Sequence, residues 1–456
     1  MKRALATASI TLVLVTTLAT NSWAATKAGA VCKSAGATSV VGNKKFICIK
    51  SGKKLIWNKG TFLPKPVPKS TAEANGQSTQ PVKPVVLPTY TQASSFASSD
   101  LCKIKNPTAA KFDETLSFQR PSFSIPTLGV HKALVYFVDF PDVPFQEKQI
   151  SEWKLNQVPT FEKYISEMSY GKLKYEVDIN ETVFHISKSS LTYNLDTPHD
   201  APRKPNADQS GLIRDAIAAA DPTIDFSKYQ FFNVVMPSTT NIGSEGASGM
   251  DPNMLLDGKS FTRLTIGPIR EYVDQPLKKI WLLHESGHIM GLQHAFKPGN
   301  SNMPVWGAMS NGVTAEPEFV SWERYILGWI SDAQNPCIDS SIVGKYVVPV
   351  APLSSSVDAN KMVTIRLNDH QAIIAEYRTA NPLSKITKEQ EGVFIYTVDV
   401  KVRGDEGAMK AVVPDSLKNR LPLGTLIAGE KVTFSNITIK ILGNYSDRSD
   451  LEIEVK

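Results

Sequence analysis

The chain has 456 residues, of which 42% are apolar and 21% are charged, and its formal net charge is +6. This composition predicts a folded, soluble protein and excludes an intrinsically disordered chain, and the length predicts two or three domains. The charge is uneven, because residues 25–71 contain ten lysines and no acidic residue. When these ten lysines and also Lys2 and Arg3 are left out, the remaining chain has a net charge of −6. The basic stretch has few aromatic residues, which argues against nucleic acid as a partner.

Residues 1–24 have the pattern of a secretory signal peptide. Lys2 and Arg3 precede an apolar run, and Ser22-Trp23-Ala24 provides small residues for cleavage after Ala24. The alternative is an uncleaved anchor, but the apolar run is short and rich in threonine for a membrane span. We therefore expect a secreted or extracellular protein with no transmembrane span after cleavage.

Two segments of different composition follow the signal peptide. Residues 25–62 predict a small basic β module with cysteines, because Gly-rich turns separate short apolar runs at Lys45–Ile49 and Lys54–Trp57. Its lysines either bind anionic cell-wall polymers or lipid headgroups, or act only as a solubilising tag. Residues 63–100 are rich in proline, serine and threonine and predict an extended linker.

Residues 101–340 predict a mixed α/β domain, because strand patterns are interleaved with helix patterns. Continuous or alternating apolar positions predict strands at Lys132–Phe140, Leu173–Ile179, Tyr229–Met236 and Thr262–Ile266. Apolar residues at helical spacing predict helices at 158–168, 210–220, 275–290 and 317–330.

The segment from His284 to His294 reads HESGHIMGLQH and predicts a zinc site. On a helix, His284 and His288 lie one turn apart on the same face and can bind one Zn²⁺. Glu285 is carried beside the metal and suits the role of general base. Gly291 can adopt the positive φ that ends the helix, so the reversing chain brings His294 back as a third ligand. Three protein ligands with one open position are typical of catalytic zinc.

This extended pattern resembles that of the metzincin metallopeptidases, which carry a methionine-containing turn beneath the zinc. Gly307–Ser310 (GAMS) lies downstream of His294 and can form such a turn around Met309. A lone methionine is also a common core residue, which is the alternative interpretation of Met309.

Residues 341–456 change character and predict a β-sandwich-like C-terminal domain without a catalytic cluster. The expected fold class is therefore α+β, with a metzincin-like mixed α/β catalytic domain followed by this β domain and preceded by the small β module. Seven apolar stretches separated by turns predict its strands: Tyr346–Val350, Met362–Leu367, Gln371–Tyr377, Gly392–Val400, Lys431–Phe434, Ile437–Leu442 and Leu451–Val455.

The four cysteines, Cys32, Cys48, Cys102 and Cys337, form an even set with three possible pairings. We favour Cys32–Cys48 as a local link and Cys102–Cys337 as a clasp that joins the two ends of the α/β domain. The alternative makes Cys102 a free thiolate that caps the zinc from a pro-segment, as in some metzincins. Its neighbours (SSDLCKIKN) do not match the usual motif for that role.

Several segments together resemble the immune-inhibitor-A-like family of secreted bacterial metallopeptidases. They are the zinc motif, Ala133–Asp142 (ALVYFVDFPD), Tyr164–Leu173 (YISEMSYGKL), Asp221–Tyr229 (DPTIDFSKY), Phe319–Ile330 (FVSWERYILGWI), Ala375–Arg378 and Gly392–Asp399 (GVFIYTVD). Members of that family often carry an aspartate where this chain has His294, so the ligand set follows the broader metzincin pattern. The resemblance implies a zinc endopeptidase, often with structural Ca²⁺. The calcium candidates, for which capping and turn roles are the alternative, are Asp139, Asp142, Asp221 and Asp225.

The expected function is that of a secreted zinc-dependent endopeptidase, a metalloprotease that hydrolyses proteins or peptides. His284, His288 and His294 would bind the metal and Glu285 would transfer protons. An extended substrate is expected to pair with an edge strand at Thr262–Ile266. One alternative is a non-catalytic, metal-binding protein of the cell surface, and another is a zinc hydrolase acting on wall or glycan substrates.

Overall fold

The structure is a computed structural model, and the chain divides into two compact units, Met1–Val85 and Val86–Lys456. The predicted signal peptide and most of the predicted linker lie outside the described residues. No helix within the described part of the chain is long and apolar enough to cross a bilayer. The described residues are 27–41, 44–62, 88–106, 114–196, 204–242, 247–249, 254–269, 280–295, 303, 306–310, 317–384, 386–413 and 424–456.

The first unit contains a small antiparallel sheet, as the sequence predicted for this segment. Its strands are β1 (Thr38–Val41), β2 (Lys44–Ser51), β3 (Lys54–Trp57) and β4 (Thr61–Phe62). Phe46 and Cys48 of β2 are buried, and Cys48 is disulfide-bonded to Cys32, 16 positions away. A disulfide that closes a loop of this length stabilises the folded state by about 3 kcal/mol. This contribution matters here because a sheet of this size has little core.

The second unit begins with an α/β body whose strands and helices alternate as predicted. Its elements are α1 (Ser99–Cys102), β5 (Gly129–Asp139), α2 (Glu147–Met168), β6 (Leu173–His185), α3 (Gln209–Ala220), β7 (Phe231–Met236), β8 (Ala247–Gly249), β9 (Met254–Leu256), β10 (Lys259–Phe261), β11 (Leu264–Pro268), α4 (Trp281–Ile289) and α5 (Ser321–Ile326). Five strands form a sheet in the order β6-β5-β7-β11-β8, in which only the edge strand β8 is antiparallel to its neighbour. The prediction of a mixed α/β body is confirmed.

Strand β5 shows why its sequence is continuously apolar. Ala133, Val135 and Phe137 face a core that includes side chains of α2 and α4. Leu134 and Tyr136 point to the opposite face, into a core that includes α3. Because both faces of these parallel strands are covered, every position from Ala133 to Asp139 is buried.

The expectation that Thr262–Ile266 forms the edge that pairs with substrate is wrong. Strand β11 pairs with β7 on one side and with β8 on the other, so both of its edges are already hydrogen-bonded. The edge strand on this side of the sheet is β8, which lies against α4, and β6 forms the other edge. Its three residues, Ala-Ser-Gly, have no apolar alternation, so no sequence pattern predicted a strand there.

The C-terminal part contains two facing sheets, as expected for a β-sandwich-like arrangement. The strands are β12 (Cys337–Asp339), β13 (Gly344–Val350), β14 (Met362–Arg366), β15 (Gln371–Arg378), β16 (Gly392–Asp399), β17 (Met409–Ala411), β18 (Lys431–Phe434), β19 (Ile437–Asn444) and β20 (Ser449–Val455). One sheet has the order β12-β14-β15-β16-β17 and the other β13-β20-β19-β18. Apolar side chains of both sheets form one core. With the α/β body, these sheets give the expected α+β class.

Strand β15 belongs to two cores at once. Ile373 and Ala375 face the core between the two C-terminal sheets. Ala372 and Ile374 face the opposite way, into the core that also contains Met309 and the apolar residues of α4. The α/β body and the β-sandwich therefore share a buried boundary within one compact unit.

Residues 88–100, which composition assigned to the linker, belong to the second unit and pack against its C-terminal sheets. The amide of Thr91 donates to the carbonyl of Val347 at 2.9 Å, and the ring of Phe96 stacks on Tyr346. A disulfide then joins Cys102 to Cys337, as favoured from the sequence. The contacts of Thr91 and Phe96 are made with distant residues, so local composition could not predict them.

A buried ionic network connects α5 to β15. Arg324 donates to the carboxylate of Glu318 at 2.8 Å, and Arg378 lies 3.8 Å from the other oxygen of Glu318. Arg378 also donates to Glu376 at 2.5 Å. All four side chains are at most 2% exposed, so each charge depends on its partners in place of water.

We predict that Glu318→Ala lowers the free energy of unfolding by about 3–5 kcal/mol, because the substitution leaves the buried guanidinium of Arg324 without its carboxylate partner. Chemical denaturation followed by circular dichroism measures this change. The control is Glu181→Ala, which removes an exposed ion pair with Lys154 and should cost less than about 1 kcal/mol. Similar small losses in both variants would contradict the role of the network.

Candidate metal centre

Helix α4 carries His284 and His288 one turn apart. Every residue of α4 except His284 is buried, so the helix is fixed tightly within the body. The predicted start of the helix near Gln275 lies outside the described residues, and the described helix begins at Trp281.

The imidazole rings of His284, His288 and His294 converge. The Nε2 atom of His294 lies 3.2 Å from Nε2 of His284 and 3.1 Å from Nε2 of His288. The Nδ1–H of His284 donates to the Ala308 carbonyl at 2.6 Å, and that of His288 donates to the Leu292 carbonyl at 2.9 Å. A carbonyl can only accept, so these bonds place the protons on Nδ1 and leave the Nε2 lone pairs for a cation.

The three Nε2 atoms fit a single divalent metal ion. Nitrogen ligands about 2.0–2.1 Å from a tetrahedral zinc ion are about 3.3 Å from each other, close to the separations in this site. In the described ranges, this is the one group of three metal-binding side chains whose donor atoms lie within 4.8 Å of one another. The structure thus brings together the three histidines that the sequence proposed as ligands.

A turn at Gly307–Ser310 packs against α4 between the two helix ligands. Met309 in this turn is fully buried, and a Cβ at Gly287 would overlap the Met309 sulfur. Glycine inside a helix costs about 1 kcal/mol relative to alanine. The close approach of Met309 explains why glycine occupies this position.

The same turn also holds the ligand segments through its backbone. The carbonyl of Ala308 accepts from His284, and the carbonyl of Met309 accepts from the amide of Ala295 at 2.8 Å. Since Ala295 follows His294, the turn fixes the first ligand and the segment of the third ligand together.

The chain reverses at Gly291, whose φ of +95° has the sign that the sequence predicted. The Gly291 amide donates to the carbonyl of His288 at 2.8 Å, and the Leu292 amide donates to that of Gly287 at 3.0 Å. These bonds close the helix and return the chain toward the metal centre.

The third ligand is supported by a loop of the β-sandwich. Gly404 lies against the backbone of His294, and a Cβ at Gly404 would overlap the His294 carbonyl oxygen. The Gly404 amide also donates to the side chain of Gln293 at 3.0 Å. The sequence predicted no functional residue in this loop. The contact joins two segments that are far apart in the chain, so no local sequence pattern indicates it.

Two carboxylates act on His288. Glu285 is 6% exposed, and Oε2 of Glu114 lies 3.1 Å from Nδ1 of His288. Burial alone would lower the pKa of His288, but Glu114 and, less strongly, Glu285 raise it to about 9. Burial alone would raise the pKa of Glu114, but the charge of His288 lowers it. Sequence reasoning missed Glu114, because an acidic residue far upstream of the motif has no diagnostic spacing.

Contacts of the described residues bear on two further sequence interpretations. Cys102 is disulfide-bonded, so it does not cap the metal as a free thiolate. Among the calcium candidates, Asp139 accepts from the Phe145 amide at 3.0 Å, Asp142 accepts from the Ser190 amide at 2.8 Å and Asp225 caps the turn at Ser227. The amide of Asp221 closes helix α3 on Ile217. The carboxylate contacts of Asp139, Asp142 and Asp225 are capping and turn contacts of the kind that the sequence offered as the alternative, and structural Ca²⁺ stays a prediction.

Comparison with known proteins gives only weak likenesses. No protein-family model and no curated protein matches the chain. Metalloproteinase-II from Bacteroides fragilis aligns at 13% identity with a TM-score of 0.28, over 51% of this chain and 60% of its own. Catalytically inactive OgpA from Akkermansia muciniphila, in complex with an O-glycopeptide (glycodrosocin) substrate, aligns at 13% identity with a TM-score of 0.26, over 75% of this chain and 96% of its own. Likenesses this low carry no argument about function, and the resemblance to the immune-inhibitor-A-like family remains one of motifs.

We predict that Gly404→Ala weakens zinc binding by about tenfold or more, because the added methyl group displaces the His294 backbone. Competition with a chromogenic chelator measures the affinity. The control is Gly344→Ala, whose Cβ would meet only the Tyr346 ring, at 3.2 Å. Unchanged zinc affinity in Gly404→Ala would show that the loop does not support the ligand.

We also predict that zinc binding weakens as the pH falls. A metal must replace the proton on His288, whose pKa is raised to about 9. Below that pH, the apparent affinity should fall by about tenfold per pH unit, because zinc and a proton compete for the same nitrogen. Zinc titrations between pH 6 and pH 8.5 measure this slope, and an affinity independent of pH would contradict the assignment.

Proposed function

We propose that this protein is a secreted zinc-dependent endopeptidase that hydrolyses peptide bonds with metal-activated water. The observation that carries the proposal is the convergence of three Nε2 atoms, with a buried carboxylate on the residue next to the first ligand. Three protein ligands leave one coordination position open for a reacting water, as catalytic zinc sites require.

The chemistry divides between the metal and Glu285. A zinc ion bound by His284, His288 and His294 would supply Lewis acidity to the attacking water and to the scissile carbonyl. Glu285 takes a proton from the attacking water and returns it to the leaving amine. The burial of the Glu285 carboxylate favours this role, because bulk water is then excluded from the proton transfer.

The edge of the α/β sheet offers a place for the substrate backbone. Strand β8 ends the sheet, and its outer side has no partner strand in the part of the chain that the structure describes. It also lies against α4, which carries the ligands. We propose that an extended peptide adds to β8 as a further strand and so brings its scissile bond to the zinc.

The two disulfides support an oxidising, extracellular location. The first unit has eight lysines and no acidic residue in residues 27–62, which supports attachment to anionic cell-wall polymers.

We predict that Glu285→Gln keeps the zinc and reduces kcat/KM for peptide hydrolysis by about 10²–10⁴-fold, because the general base is lost. Metal analysis and cleavage of a peptide library measure the two quantities. Glu167→Gln, an exposed change on α2, is the control and should retain wild-type turnover.

Full turnover in Glu285→Gln would contradict the role of this residue. Turnover by wild-type protein should also be abolished by a chelator and restored by zinc. A zinc-loaded wild type that cuts no peptide would instead favour the non-catalytic binding protein.

A further inference from the structure

Residues 114–128, which we call the strap, cap the end of helix α4. The last carbonyls of a helix lack partners within it, and here the strap supplies them. Three consecutive carbonyls each accept from a strap donor: Ile289 from the amide of Ile125 at 3.0 Å, Met290 from the Arg120 guanidinium at 3.0 Å, and Gly291 from the amide of Thr115 at 2.8 Å.

The strap is anchored along its length by buried donors of the body. The indole of Trp322 donates to the carbonyl of Leu116 at 2.8 Å. Thr127 donates to the carbonyl of Leu327 at 2.8 Å and accepts from the indole of Trp329 at 2.8 Å. These contacts make the strap part of the core, so its position relative to α4 is fixed.

Glu114 stands at the beginning of the strap, and its carboxylate faces the back of a ligand ring. Its Oε2 lies 3.1 Å from Nδ1 of His288, and the two side chains are 27% and 7% exposed. The same Nδ1–H is shared with the carbonyl of Leu292 at 2.9 Å. A charged acceptor forms the stronger bond, and a carboxylate behind a ligand histidine orients the ring and increases the basicity of its metal-binding nitrogen.

We propose that Glu114 is a positioning residue of the metal centre, and that the strap carrying it remains part of the working protein. Glu114 acts through His288, whose Nε2 it directs toward the cation. This inference rests on the proposed metal site and adds to it a carboxylate from outside the zinc motif.

The test compares Glu114→Ala and Glu114→Gln in the full chain. Zinc affinity is measured by competition with a chromogenic chelator, and thermal midpoints are measured with and without zinc. Glu114→Ala should lose about 10–100-fold in zinc affinity, and Glu114→Gln, which keeps a neutral acceptor, should lose less. The control is Glu162→Ala, which removes a carboxylate that accepts from the Val177 amide at 3.0 Å and should leave zinc affinity unchanged.

The outcomes separate this inference from the proposed function. If Glu114 has a structural role alone, Glu114→Ala lowers the midpoint of the zinc-free protein and binds zinc like wild type, which overturns the positioning role. If the ligand variant His288→Ala binds zinc as tightly as wild type, the proposed metal site is wrong. Should Glu114→Ala not fold, Glu114→Gln decides, and zinc affinity equal to wild type in that variant overturns the proposal.

Mass spectrometry of the zinc-binding protein recovered from a secreting culture tests the strap. Peptides covering residues 114–128 should be present. A zinc-binding form that lacks them would show that the strap is removed and that Glu114 does not position His288.

Discussion

Three imidazole rings can bind one cation only when each directs an unprotonated nitrogen to a common point, and the groups behind the rings favour that arrangement. The Ala308 and Leu292 carbonyls hold the Nδ1–H groups of His284 and His288, so Nε2 is the nitrogen that both rings present to a metal ion. Neither carbonyl belongs to helix α4. The helix therefore sets the spacing of the ligands, while the chain around it sets their orientation.

Four distant parts of the second unit meet at this centre. Helix α4 supplies two rings, and the turn around Met309 packs against the helix between them. The strap closes the end of the helix, and the loop at Gly404 contacts the backbone of the third ligand. Both glycine contacts, at Gly287 and Gly404, occur where backbone meets another segment without space for a side chain. Close packing of this kind restricts the rings more than the hydrogen bonds alone would.

Local patterns were sufficient for much of the fold and for the ligands. Helical spacing predicted the pair of histidines on α4, the glycine after the helix predicted the reversal, and period-two alternation predicted the strands of the sandwich. Glu114, Gly404 and the edge strand β8 could not be predicted, because each owes its role to a contact with residues far away in the chain. Residues 88–100 show the same limit, since their composition resembles a linker while their partners lie on the C-terminal sheets.

Strand β15 has a consequence for how this protein unfolds and how it can change in evolution. Its alternate side chains complete two cores, so separating the sandwich from the α/β body would expose one full face of a sheet to water. The unfolding of the sandwich is therefore coupled to that of the α/β body. Loss or exchange of the sandwich during evolution would therefore also require changes in the core residues of helix α4 and of the Met309 turn, which pack against β15 next to the histidines.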